Sequence, residues 1–197
     1  MKAIIVGLGN PTEEYIGTRH NVGRDFLIAL AKKEGIDTWK KDMKLRALTA
    51  SGDFLGGKAQ LVLPEMYMNL SGGSLKPLID SKKKLETLVV IHDELDLPLG
   101  KVKLSYGSGH GGHKGIESIQ KALKSKDFLR IRVGISPSTA SGKLRKPDSE
   151  KIVDFVIGAF RKPEEEILKK VRKVVAAALE AFMEGGRAQA TMEINSR

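Results

Sequence analysis

The 197-residue chain has no cysteine, which removes disulfides, thiolate zinc sites and a cysteine nucleophile together. Aromatic residues make up only 5%, too few to expect nucleic acid held by stacking successive bases on aromatic platforms. No apolar run approaches the ~18–20 residues that a membrane span needs. The N-terminal MKAIIVGLGNP is apolar too briefly, and is ended too soon by glycine and proline, to be a secretory signal. These absences give the expectation of a cytoplasmic protein without membrane association. Acid is also scarce: 24 Asp and Glu stand against 34 Lys and Arg, a formal net charge of +10. An excess of this size suits a polyanionic partner, with phosphate contact the better expectation, or simply a solvated surface.

What is present is the patterning of a folded α/β domain. Hydrophobic residues reach 41%, and the length suits one sizeable core. Residues 3–7 (AIIVG) read as a buried strand feeding a tight loop at Gly7, Gly9 and Pro11. A helix is expected from Val22 to Glu34, with Val22, Phe26, Leu27, Leu30 and Ala31 on one face and Gly35 as its stop. Residues 45–55 and 58–63, separated by Gly56 and Gly57, suggest a hairpin. Further strands are expected at 87–92, 101–105 and 129–135, and a helix over Gly112–Lys124 after a glycine-rich loop. A last helix, about 163–184, opens with Pro163 and Glu164–Glu166, which suit a helix N-terminus. Its apolar stripe runs from Ile167 to Phe182, and Gly185–Gly186 ends it. Strands alternating with helices and no linker indicate a single α/β domain over 1–197. The polar, basic stretch 136–148 reads as a loop able to move.

The four histidines fall in suggestive places. His20 lies in TRHN, His92 opens HDELDLP at the end of an apolar strand, and His110 and His113 sit in GSGHGGHKG. Loops at strand ends are where α/β folds bind ligands, whereas a lone histidine is more often structural. No His-Glu-x-x-His pair or thiolate cluster argues for zinc, although His92, Asp93, His110 and His113 could still meet in space. No serine satisfies Gly-x-Ser-x-Gly, and GLGNPT lacks the third glycine of a dinucleotide fingerprint. Water activated by a histidine whose other nitrogen is held by a carboxylate remains, and His20 with Asp93 is one such pair. Asn10, Asn21 and Asn69 add amides able to support an oxyanion or hold a carbonyl. The residues alone leave two alternatives open, a hydrolase or a polyanion binder.

Six stretches together resemble the bacterial peptidyl-tRNA hydrolase family: GLGNPTEEYIGTRHNVG (7–23), YMNLSGG (67–73), HDELDLPLG (92–100), GSGHGGHKG (107–115), RIRVGI (130–135) and DFVIGAF (154–160). The resemblance covers nearly the whole chain, in family order. It implies a twisted mixed sheet flanked by helices, and hydrolysis of the ester joining a peptide to the terminal ribose of tRNA. By motif, His20 is the implied general base, Asp93 its partner and Asn10 a catalytic amide. Asn69, Tyr15 and Met68 are implied to line the peptide end of the cleft, with Asn21 in support. His113 is implied beside the path of the CCA end, and Lys103 and Arg132 as contacts to tRNA phosphates. The implied partner is peptidyl-tRNA, met at its CCA end and acceptor stem by a monomer that needs no metal or organic cofactor. Two positions depart from the pattern. Lys114 stands where asparagine is usual and cannot accept a hydrogen bond, so a role needing both sides of an amide does not transfer to it, while a positive charge near the terminal phosphates does. Met66 stands where threonine is common. A noncatalytic RNA-binding protein on the same fold is the alternative.

Overall fold

The first apolar run becomes β1 (Ala3–Gly7), buried at every residue, in a computed structural model that describes residues 2–139 and 141–196. Six further strands join it: β2 (Lys40–Asp42), β3 (Ala47–Phe54), β4 (Gly57–Pro64), β5 (Leu88–Pro98), β6 (Val102–Tyr106) and β7 (Leu129–Ser136). They form one mixed sheet in the order β2-β3-β4-β1-β5-β7-β6. The central β4, β1, β5 and β7 are parallel, and the pairs β2/β3, β3/β4 and β6/β7 are antiparallel. The parallel centre is apolar on both faces because helices cover both.

On one face lie α1 (Val22–Lys33) and the long α6 (Lys162–Asn195). Phe26, Leu27 and Leu30 from the first, and Val175, Leu179 and Phe182 from the second, pack with Ile5, Val89, Ile91 and Ile131. On the other face are α2 (Gly72–Leu75) and α4 (Lys114–Leu123), whose Leu75, Ile116 and Ile119 pack with Val6, Val62 and Val90. Each such fully buried side chain is worth about 1.5–3 kcal/mol. Two short helices complete the fold, α3 (Lys82–Leu85) and α5 (Ile152–Ile157).

The path of the chain opens a crevice beside β1. It leaves β1 through α1 on one face toward the β2 edge, then returns from β4 through α2 on the opposite face to β5. Such a reversal leaves a gap at the carboxyl ends of the central strands, where α/β folds place ligands. Gly23 brings the wall of that gap close: a Cβ there would lie 2.2 Å from the Ile91 carbonyl oxygen. Only glycine lets α1 begin against β5, and the turn carrying His20 is thereby set beside Asp93.

Several elements differ from the sequence expectation. β5 continues to Pro98, past the expected 92, because its polar second half still pairs with β7 across an irregularity between Glu94 and Pro98. The turn between β3 and β4 falls on Leu55 and Gly56, and Gly57 already belongs to β4. Helix α6 does break at Gly186 (φ 72°, ψ −161°) but resumes and runs to Asn195. The resumed arm covers the sheet edge. The Asn195 amide accepts from the Leu104 N–H at 2.9 Å and donates to the Leu104 carbonyl at 3.0 Å, the two bonds a neighbouring strand would have made. In the stretch 136–148, Thr139 and Lys143 exchange hydrogen bonds and Lys146 pairs with Asp96; Ala140 lies outside the described residues. No helix among the described residues is long and apolar enough to cross a membrane.

Candidate active site

Asp93 anchors the site. It projects from β5 and is 2% exposed. Its carboxylate accepts from His20 Nδ1 at 2.9 and 3.0 Å, and its Oδ1 accepts from His113 Nε2 at 2.8 Å. Burial pushes the Asp93 carboxyl up, but the electrostatic pull and the hydrogen bonds of His20 and His113 outweigh that and hold it well below the usual carboxylate range. Asp93 therefore stays ionised. For His20 the balance has the same form: burial disfavours the imidazolium, yet the Asp93 charge and hydrogen bond raise the pKa above its ordinary value. With Nδ1–H donated to Asp93, Nε2 is the nitrogen left with a lone pair.

His113 is fixed from both sides. It is the N-cap of α4, and its Nδ1 accepts from the N–H groups of Gly115 at 3.1 Å and Ile116 at 3.3 Å. Its proton is consequently on Nε2, facing Asp93. Both ring nitrogens are occupied, so His113 reaches the cleft by its ring surface rather than by a free donor or acceptor.

This tautomer bears on metal binding. His20, Asp93 and His113 are brought together with donor atoms within 4.8 Å of one another. A cation there would need the Nε2 lone pair of His113, while two backbone N–H groups already claim Nδ1. The ring would have to become an imidazolate, which makes the trio a poor metal set. The grouping considered from sequence does not form. His92 Nδ1 donates to the Asp93 carbonyl at 2.6 Å within the sheet, and His110 Nδ1 accepts from the Gly112 N–H at 3.1 Å. Burial, above all, pushes His92 well below the ordinary histidine value, so it is a neutral core residue.

Asn10 and Asn21 form a clamp at the end of β1. The Asn21 side chain accepts from the Asn10 N–H at 2.8 Å and donates to the Asn10 carbonyl at 3.0 Å. The Asn10 Oδ1 accepts from the Met68 N–H at 2.9 Å. The Asn10 backbone and its side-chain oxygen are thus both held, and its Nδ2 donor remains for the cleft. Arg24 from α1 holds the approach to Met68, donating to the Pro64 carbonyl at 2.9 Å and to Glu65 at 2.5 Å.

Asn10, His20, Met68, Asp93 and His113 line a cavity of about 470 Å³ with Tyr67, Asn69, Glu94, Leu95, Gly111, Gly112, Lys114 and four residues of α5. Asn69 is exposed and Met68 buried on the same short turn. Lys114 sits at the rim and pairs with Glu117 at 3.3 Å; Lys121 and Lys114 together hold the Glu117 carboxyl at about 2. Tyr15, at the end of a turn over Glu13–Tyr15, is not itself among the cavity walls but lies near Tyr67, which is. Lys103 and Arg132 are cross-strand partners in β6 and β7. Lys103 is exposed, whereas Arg132 donates from Nε to Glu94 at 2.8 Å. Since Glu94 lines the cavity, the pair begins just behind the cleft. Glu94, Tyr67, Leu95 and the α5 wall were not singled out from sequence. Glu94 and α5 lie in HDELDLP and DFVIGAF or just before it, but nothing in a one-dimensional spacing turns them toward His20.

Comparison with known proteins places this arrangement. A family model described as peptidyl-tRNA hydrolase matches residues 4–197. The peptidyl-tRNA hydrolase of Syntrophotalea carbinolica is 37% identical over 195 residues, 98% of this chain and 97% of that one. That of Geobacter sp. strain M21 is 40% identical over 195 residues, 98% of each. The crystal structure of peptidyl-tRNA hydrolase from Acinetobacter baumannii has a TM-score of 0.86 at 34% identity and covers 99% of this chain and 95% of that one.

Proposed function

The chain belongs to the peptidyl-tRNA hydrolase family and is an ester hydrolase acting on peptidyl-tRNA, and from that premise we propose that His20, held by Asp93, is the general base that activates water. The single observation that carries this reading is the double hydrogen bond from His20 Nδ1 to a buried, ionised Asp93. It fixes the tautomer that leaves Nε2 basic and stabilises the imidazolium formed when a proton arrives.

Water gives its proton to His20 Nε2 as its oxygen bonds to the ester carbonyl. The carbonyl oxygen gains charge, and the Asn10 Nδ2 donor, immobilised by Met68 and Asn21, supports it. The ester bond then breaks, the 3′ oxygen of the ribose leaves with the electron pair, and the proton on His20 passes to it. Asn69 and Met68 hold the peptide side, with Asn21 acting through Asn10. His113 keeps Asp93 in place. Lys114, at the rim, is a cation for the CCA end, and Lys103 with Arg132 meets acceptor-stem phosphates. No step calls on a metal. The protein acts as a monomer in the cytoplasm, where its substrate arises.

The pH dependence of kcat/KM on N-acetyl-aminoacyl-tRNA tests the assignment. A base works deprotonated, so kcat/KM rises with pH through a pKa above the ordinary 6.5 of histidine, then levels. A profile flat between about pH 5.5 and 8.5 would remove His20 from the chemistry.

A further inference from the structure

One wall of the cavity is aliphatic throughout. Ile152, Val153, Val156 and Ile157 of α5 all line it, at the i, i+1, i+4 and i+5 positions that share one face of a helix. Val153 is 65% exposed and Ile157 40% exposed. Large aliphatic side chains left open within a catalytic cleft mark the place of an apolar part of a ligand. The sugar–phosphate backbone of tRNA is polar and anionic and gains little from such a surface. Two apolar groups flank the ester, the flat face of the terminal base and the acyl side chain; branched aliphatic side chains at two depths, Val153 open and Val156 buried, make an uneven surface that suits the acyl side chain better than a flat ring.

The wall is also fixed relative to the base. Arg19, the residue before His20, is 7% exposed and faces the segment that ends α5. Its Nη1 donates to the carbonyls of Gly158 at 3.1 Å and Ala159 at 2.8 Å, and its Nη2 to both oxygens of Glu164 at 3.2 and 2.9 Å. The guanidinium lies 4.6 Å from the Phe155 ring centroid and 5.1 Å from that of Phe160. Its backbone N–H also donates to Gly158, and Thr18 bridges Ala159. The turn that presents His20 and the helix that presents the aliphatic wall therefore move as one piece, which is how a subsite keeps register with a reacting bond.

We propose that the exposed face of α5 is the subsite for the side chain of the amino acid esterified to tRNA, and that it favours apolar residues there. This rests on the reading that places the ester carbonyl between His20 and Asn10. The polar wall of Asn10 and Asn69 then takes the peptide backbone and α5 takes the side chain, so the enzyme discriminates by the residue nearest the broken bond.

The experiment compares kcat/KM for N-acetyl-leucyl and N-acetyl-glycyl esters carried on the same tRNA, in wild type, Val153→Ser and Ile157→Ser. The ratio of the two values is internal to each preparation and does not depend on the fraction of protein that is folded. Aliphatic carbon in a fitted pocket is worth at least about tenfold, so wild type is expected to prefer the leucyl ester by about that factor, and each serine variant to lose severalfold of the preference. A wild-type ratio near one, or a preference that survives in both variants, overturns the proposal. The pH profile of the leucyl ester, recorded alongside, reports on His20 separately: a flat profile strikes the proposed base, while a lost ratio with the profile intact strikes only the α5 subsite.

Discussion

Asp93 and Lys103 lie on the same sheet and are held on opposite terms. Asp93 is 2% exposed and accepts hydrogen bonds from two histidines, one of which is pinned by a helix N-terminus and the other by its place before α1. Lys103 is exposed and makes no ion pair among the described residues. Bond breaking requires groups placed to a fraction of an ångström, and Asp93, His20 and Asn10, the groups proposed for it, are each held by other atoms of the protein. Phosphate attraction requires only charge within about a Debye length, ~8 Å at physiological salt, and a solvated lysine suffices. Arg132 stands between the two regimes, the cross-strand neighbour of Lys103 but tied at Nε to Glu94 in the cleft wall.

The contrast is sharpest at Asp93. Asp93→Asn keeps the shape but loses the charge that fixes the His20 tautomer, and turnover is expected to fall on the order of 10⁴-fold. With the carboxylate gone, burial acts alone on His20, so the pKa governing the residual activity should move below the ordinary histidine value. An Asp93→Asn profile with its pKa still raised would show that something other than Asp93 lifts it.

Effects at Lys103 and Arg132 should be smaller and of a different kind. Lys103→Ala should raise KM severalfold and reduce the slope of log affinity against log salt by about one, with the bond-breaking rate and the melting temperature unchanged. Arg132→Ala should weaken tRNA binding and also lower the melting temperature, because Glu94, 7% exposed, is left without its cation. If the two variants behave alike in both binding and melting, the distinction between a solvated charge and an anchored one is wrong.

The parts that sequence made legible are those with long periodic signals. β1, α1, β7 and the first arm of α6 carry enough apolar residues at fixed spacing to declare themselves. β2, α2, α3 and α5 span three to six residues each, too few for either periodicity to stand out from chance, and tertiary packing rather than propensity forms them. The site divides likewise. The chemistry of histidine beside a carboxylate could be named from residue types, but the meeting of His20 with Asp93 depends on Gly23 lying against Ile91. The Asn21 clamp on Asn10 and the capping role of His113 are invisible in one dimension, because each depends on where a loop lands. Tyr15, associated with the cleft by motif, sits outside its walls for the same reason.

The central claim is that His20 takes the proton from water. Single-turnover hydrolysis of N-acetyl-aminoacyl-tRNA, with His20→Ala in saturating excess, isolates the chemical step from binding. The account predicts a rate lower by about 10²- to 10⁴-fold with the affinity for tRNA close to that of wild type. A His20→Ala rate within a few fold of wild type would contradict it.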